Sequence, residues 1–232
     1  MKQILFCGIF LLLFAGCKEE DPLPMLKYST LTDSRDNRTY RYLNIGDQTW
    51  MMDNVAYLPE VFRSSNGSVT EPRYYVYDYE GSEKAAAAIK TNFITYGVLY
   101  NYEAAKTACP SGWHLPTDKE WKLLSITLGM EKWDADSIGF SSSKTVGAAM
   151  KSTMGWQLNG NGTNSSGFTA VPGGFRSHWG GFGMIGQMAY FWSATENTAE
   201  SAWFRDLVCD FGSLYRYFSG KSEGMSVRCL KD

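Results

Sequence analysis

The chain has 232 residues, with 22 Lys and Arg against 24 Asp and Glu, for a net charge of −2. That balance leaves no basic footprint, so nucleic acid is not an expected partner. Hydrophobic residues reach 44%, enough for a packed core, and 15% aromatics with 23 glycines point to a β-rich, loop-rich domain.

Met1-Lys2-Gln3 carries one positive charge ahead of Ile4 to Phe14, which is apolar except for Cys7 and Gly8. Crossing a bilayer takes about 20 apolar residues. A charged start followed by so short an apolar run reads as a secretion signal. Its end, Leu13-Phe14-Ala15-Gly16-Cys17, resembles the bacterial lipobox. The resemblance implies that Cys17 is diacylated and becomes the new N-terminus, and such multiple acylation gives stable membrane attachment. Lys18-Glu19-Glu20-Asp21 and Pro22-Leu23-Pro24 follow, charged and proline-bearing, as expected of a tether. Lys18-Glu19-Glu20 also resembles the surface-export signal of Bacteroidota-type lipoproteins; the bland alternative is a solvated linker facing the periplasm. The expected organisation is a signal over 1–17, a tether over 18–27 and one domain over 28–232, lipid-anchored to the outer membrane and displayed at the cell surface.

From about Lys27 to Asn54, aromatic and β-branched runs alternate with the turn clusters Asp33 to Asn37 and Gly46-Asp47, the signature of hairpins. The stretch from 56 to 95 is less regular; Arg73 to Tyr79 reads as a strand, and Ser82 to Lys90, with four consecutive alanines, as a helix. Tyr96 to Tyr100 reads as a further strand and Tyr102 to Ala108 as a short helix. Thr117 and Glu120 form the Thr-x-x-Glu capping box of an amphipathic helix running to about Leu128, with Trp121, Leu124 and Leu128 on its buried face. Gly155 to Gly167, rich in Asn, Gly, Ser and Thr, is expected to be a long surface loop. Phe168 to Asp232 alternates short aromatic strands with glycines. Cys7 leaves with the signal and Cys17 is acylated, so Cys109, Cys209 and Cys229 remain, allowing one bridge with one sulfur left over.

Five ordered segments carry a family likeness: Gly46 to Asn54 (GDQTWMMDN), Ala108 to Trp121 (ACPSGWHLPTDKEW), Gly167 to Arg176 (GFTAVPGGFR), Tyr190 to Glu196 (YFWSATE) and Ser226 to Asp232 (SVRCLKD). Together they resemble the Fibrobacter succinogenes major paralogous domain family (FISUMP) over nearly all of the chain from about Thr32. That family in turn resembles C-type-lectin-like and formylglycine-generating-enzyme folds. The resemblance implies an α+β architecture: small antiparallel sheets, two main helices and long loops that carry binding. It also implies a disulfide between Cys109 and Cys229, which would leave Cys209 single and buried.

The oxygen chemistry of the formylglycine-generating enzymes needs a pair of cysteines, and a Cys109–Cys229 bridge would consume two of three, so that activity is not expected. His114 reads as a packed strand residue and His178 as a loop residue, and no supporting metal motif accompanies them. Gly181 to Gly186 spells G-x-G-x-x-G with Asp206 some way on, but the dinucleotide reading needs a strand before and a helix after; Arg176 to Gly180 does not read as that strand, and a glycine-rich connection is the plainer reading. Glu196, Asn197, Asp206 and Asp210 carry oxygen ligands, yet the motifs of calcium-dependent lectins are missing, so neither metal nor cofactor is expected. Asn161-Gly162-Thr163 and Asn164-Ser165-Ser166 match the glycosylation sequon and read more simply as polar loop. Flat rings beside amides or arginines suit stacking on sugars or docking a protein, which makes Trp156, Asn161, Arg176, Trp179, Tyr215 and Tyr217 the ligand-binding candidates. The resulting expectation is a surface-anchored, non-catalytic module recognising glycan or protein; the alternatives are a structural or assembly component of the envelope and a degenerate oxidase.

Overall fold

A computed structural model describes residues 27–232. The signal, Cys17 and nearly all of the tether lie outside the described residues. The chain builds a mixed α+β fold that is mostly sheet. It runs β1 (Ser29–Thr32), β2 (Thr39–Ile45), β3 (Gln48–Met51), β4 (Tyr74–Tyr75), α1 (Lys84–Ala88), α2 (Thr91–Tyr96), β5 (Leu99–Tyr100), α3 (Tyr102–Ala105), β6 (Trp113–His114), α4 (Asp118–Thr127), α5 (Lys132–Asp136), β7 (Gly139–Phe140) and α6 (Val146–Met150). The C-terminal part is β8 (Gly173–Ser177), β9 (Gly181–Ile185), β10 (Met188–Glu196), β11 (Ser201–Val208), β12 (Leu214–Gly220) and β13 (Leu230–Lys231). A five-stranded sheet has the order β1-β2-β3-β13-β6, a six-stranded sheet the order β7-β12-β11-β10-β8-β9, and β4 pairs with β5.

Local chemistry accounts for the framework. Ile45 pairs with Gln48, leaving Gly46-Asp47 as a two-residue hairpin loop. Such loops need a positive φ, and Gly46 sits at +59°. The capping box at α4 is complete: the Glu120 amide donates to Thr117 Oγ1 and the Thr117 amide to Glu120 Oε2 at 2.7 Å. The buried face of α4 carries Trp121 and Leu124, and the Trp121 indole donates to the Trp192 carbonyl of β10. Because strand side chains alternate, β10 and β11 feed two cores. Trp192, Ala202 and Phe204 enter one with Tyr100 and Tyr102, while Phe191 and Leu207 enter the other with Trp50, Trp121 and Phe168. An apolar cluster therefore packs against part of each face of the six-stranded sheet.

The structure departs from the sequence reading in specific places. Of the two main helices expected, only α4 reaches ten residues; the other five have four to six. Thr91 to Tyr96 forms α2 despite a composition poor in strong helix formers, because Phe93 is buried and Gly97, at φ +78°, ends the turn. The strand expected over Tyr96 to Tyr100 therefore shrinks to β5. Gly173–Ser177 is a strand after all, and the glycine-rich Gly181–Ile185 is its hairpin partner β9 rather than a mere connection. Strand β10 follows instead of a helix, so no dinucleotide cradle exists there. Region 56–95, irregular in sequence, is ordered by its own buried residues, Leu58, Val61, Val76, Ala87 and Phe93.

Backbone that follows no ladder needs other hydrogen-bond partners. Buried cations supply them here. Lys151 Nζ donates to the carbonyls of Val208, Cys209 and Phe211. Arg176 donates to those of Ser64 and Ser222. Arg228 donates to those of Met51, Phe168 and Thr169 and to Asn54 Oδ1. A second kind of site is ionic: Arg205 and Arg216 each reach Asp118 at 2.8 Å, at the first residue of α4. Burial would raise the Asp118 carboxyl, but the two guanidinium groups outweigh it and hold it near about 2.

Next to Arg228, Cys229 bonds to Cys109 across a sequence separation of 120, and Cys209 is a buried free thiol. Closing a loop of that length contributes about 4–5 kcal/mol on the chain-entropy model. The double variant Cys109→Ala/Cys229→Ala should lose stability of that order in a denaturant titration. Thiol titration of the unreduced domain should find no reactive group in the native state and one, Cys209, after unfolding.

Candidate functional site

The sequence candidates separate by burial. Trp156 is 5% exposed; its indole donates to Ser152 Oγ and the Ala170 carbonyl, so it closes its loop from within rather than presenting a ring. Asn161 is exposed, and its Oδ1 accepts from the Trp156 amide, a loop contact. Arg176 is 0% exposed and its guanidinium is taken up by carbonyls and the Tyr75 ring. The expectation that Trp156 and Arg176 face a ligand is thereby corrected: their polar atoms are needed inside. Trp179, at 86% exposed, stands in the β8–β9 turn with its ring 4.4 Å from that of His178.

Tyr215 and Tyr217 do come together. They sit two apart on β12 and so share a face, with ring centroids 5.6 Å apart. The strand register extends that face. Tyr190 of β10 stands opposite Asp206 of β11, Asp206 opposite Tyr215, and Tyr215 opposite Phe140 of β7. Phe175 of β8 adjoins Tyr190 at 4.9 Å, Phe140 adjoins Tyr215 at 4.6 Å, and Phe211 adjoins Phe140 at 5.4 Å. Phe140 and Phe211 are about half exposed, Tyr217 is exposed, and Tyr190, Tyr215 and Phe175 are half-buried. The result is a row of rings across an accessible sheet face.

Asp206 lies within this row at 3% exposure, and its Oδ1 has no hydrogen-bond partner among the described residues. Burial alone pushes its carboxyl up to about 8. The neighbouring Tyr190 hydroxyl, also pushed up by burial, donates elsewhere, to Met188 Sδ at 3.0 Å. A carboxyl without a cation or donor costs stability, and such perturbed groups concentrate at functional sites. Chemically, Asp206 can offer a hydroxyl group a donor when protonated and an acceptor in either state, between rings that offer apolar faces. Glu223, the nearby acid that also perturbs Tyr190, is tied to His178 Nδ1 at 3.3 Å. Glu196, weighed as a calcium ligand, pairs with Lys221 at 2.8 Å, and no cluster of three metal-ligating side chains occurs among the described residues.

Sequence reasoning considered Asp206 only as an oxygen ligand for calcium or as the acid following the G-x-G-x-x-G run, and overlooked Tyr190, Phe140 and Phe211. The available signal was an acid in the apolar phase of Ala202, Phe204 and Asp206 along β11. Because an unfolded carboxyl ionises near 3.9, the folded form holds the extra proton between about pH 4 and 8, so stability falls with rising pH across that window and flattens above it. In Asp206→Asn that slope should vanish. Its stability relative to the parent should therefore rise from pH 4 to 8 by several kcal/mol, measured by urea unfolding at stepped pH. Parallel pH curves for the two proteins would show that Asp206 titrates normally.

No helix among the described residues is long and apolar enough to cross a membrane. No curated protein and no solved structure matches the chain. The family model of the Fibrobacter succinogenes major domain matches residues 43–231, which contain β3 through β13, the disulfide and the whole ring row. The chain therefore belongs to the Fibrobacter succinogenes major domain family.

Proposed function

We propose that this protein is a non-catalytic binding module of the cell envelope, anchored through lipid at Cys17 and displayed on the outer surface, and that it takes a glycan on the ring row around Asp206. One observation carries the reading: a buried carboxyl with a free oxygen sits between half-exposed rings on an open sheet face. Sugars present apolar C–H faces and hydroxyl edges, and a site of rings with one placed polar group matches both. A protein surface is the other ligand class, favoured by the exposed Phe140–Phe211 pair at the β7 edge, and it underlies the alternative of an envelope assembly component.

The finer fold assignment, C-type-lectin-like, is supported by the way the chain ends meet. Strand β13 pairs with both β3 and β6, and Cys229 beside it is bonded to Cys109 after α3. The sulfurs weigh against the degenerate-oxidase alternative alone: two are bonded to each other and Cys209 is buried, so no pair of free thiols is present among the described residues.

The test is a glycan array probed with residues 22–232, with and without calcium. Binding to one sugar class should weaken about tenfold or more, ~1.4 kcal/mol, in Tyr215→Ala and in Tyr217→Ala while the circular dichroism spectrum persists. A clean blank from folded protein sinks the glycan reading and points to a protein partner. Loss of binding in Trp179→Ala alone would move the site to the β8–β9 turn, and a calcium requirement would overturn the metal-free reading.

A further inference from the structure

On a different part of the molecule, a cleft of about 320 Å³ opens between β2, the segment after β3, the end of α2 and the Thr169–Val171 loop. Its charged lining residues are Arg38, Arg41, Asp53 and Arg228. Arg41 and Asp53 neutralise each other through a bidentate pair, with Nη2–Oδ1 at 2.5 Å. Arg38 holds its guanidinium over the Phe93 ring at 4.8 Å. Arg228 is fully buried, and its hydrogen-bond acceptors are three carbonyls and the Asn54 amide oxygen, none of them a carboxylate. Its Nε has no partner among the described residues. The cleft lining therefore sets three cations against one acid: Asp53 pairs with Arg41 and acts on Arg228 only from a distance, so positive charge is left in surplus.

A buried guanidinium with no carboxylate in contact is costly, and desolvation, outweighing the more distant Asp53 charge, pushes Arg228 down to about 9. The cost falls if an anion enters. The rest of the lining says what kind of anion fits: Thr39 and Thr95 offer hydroxyls and Tyr96 a half-buried ring, while the Asn54 amide and the Thr169 hydroxyl are already bonded within the protein. The volume stands at the low end of ligand cavities, about 300–1,000 Å³, which suits one ring rather than an oligomer. We infer that this cleft is a second ligand site, selective for a carboxylate-bearing monosaccharide, with the carboxylate held toward Arg228 and Arg38 and the hydroxyls met by Thr39 and Thr95. None of Tyr190, Asp206, Tyr215 and Tyr217 lines it, so the site stands or falls independently of the ring row.

The experiment is a titration of the folded domain with glucuronate, with glucose and inorganic sulfate as controls, followed by calorimetry and by the methyl resonance of Ile94, an exposed residue of the cleft mouth. Glucuronate should bind saturably, shift Ile94, and weaken as salt is raised. Arg38→Gln should weaken it about tenfold, and Thr95→Trp, which fills the mouth, should abolish it. Arg228 itself is left intact, since its carbonyl contacts hold the fold. Absence of glucuronate binding, equal affinity for glucose, or indifference to both variants overturns the site; sulfate binding as tightly as glucuronate overturns the sugar-acid assignment.

Discussion

The fold depends on one constraint: buried carbonyl groups in loops must be hydrogen-bonded, and here cations bonded from the interior do it. Strands of two residues and helices of four or five leave much of the backbone outside any ladder. A carbonyl buried without a partner costs about 1–3 kcal/mol. A guanidinium has five donors in a plane and can serve several carbonyls that lie far apart in sequence. Arg228 joins residues 51, 54, 168 and 169, Arg176 joins 64 and 222, and the Lys151 ammonium gathers 208, 209 and 211. Arg228 precedes the disulfide cysteine and the last strand, so the final residues of the chain lock its early hairpin, its long middle loop and α3 into one arrangement.

Charge burial is handled in two different ways, and the difference separates scaffold from site. Asp118 sits between Arg205 and Arg216, its oxygens fully engaged, and anchors the start of α4 to β11 and β12. That cluster is self-contained and asks nothing of solvent or ligand. Asp206 and Arg228 are the opposite case: among the described residues each keeps a buried polar atom without a hydrogen-bond partner. Both adjoin surfaces a ligand can reach, a ring row in one case and a cleft in the other. Natural sequences retain such destabilising groups where function uses them, because stability elsewhere tolerates the loss.

What could be read from the sequence was whatever depends on neighbours along the chain. The capping box at Thr117, the two-residue turn at Gly46 and the inward face of Trp121 and Leu124 follow from spacing alone, and all occur. The disulfide became legible only through the family likeness. Arg176 and Trp156, ligand-binding candidates in the sequence, are buried because their partners, the Ser64 carbonyl and the Ala170 carbonyl, are set by tertiary folding and leave no local trace. The glycine pair at the head of β8 hid a strand for a similar reason. Gly174 has φ +66° and lies so close to β9 that a Cβ there would meet the Gly183 carbonyl at 2.3 Å, so glycine marks close strand packing rather than a turn. Trp156 and Trp179 occupy similar polar, glycine-rich stretches, and only the presence of indole acceptors inside the loop sends one in and leaves the other out.

The ring row and the ion cluster are two faces of the same strands, and this links stability to recognition. Arg205 and Asp206 are consecutive on β11, so one reaches Asp118 while the other lies among the rings. On β12, Arg216 sits between Tyr215 and Tyr217 and points the opposite way, its guanidinium bonded to Asp118 and lying 3.8 Å over the Trp203 ring. The clamp beneath thus fixes the twist and register of the two strands that display the rings above. A flat ligand gains most from rings already held in place, because little side-chain freedom is lost on binding. Helix α4, whose first residue supplies Asp118, then has a role beyond packing: it is the support against which the open face of the sheet is held rigid.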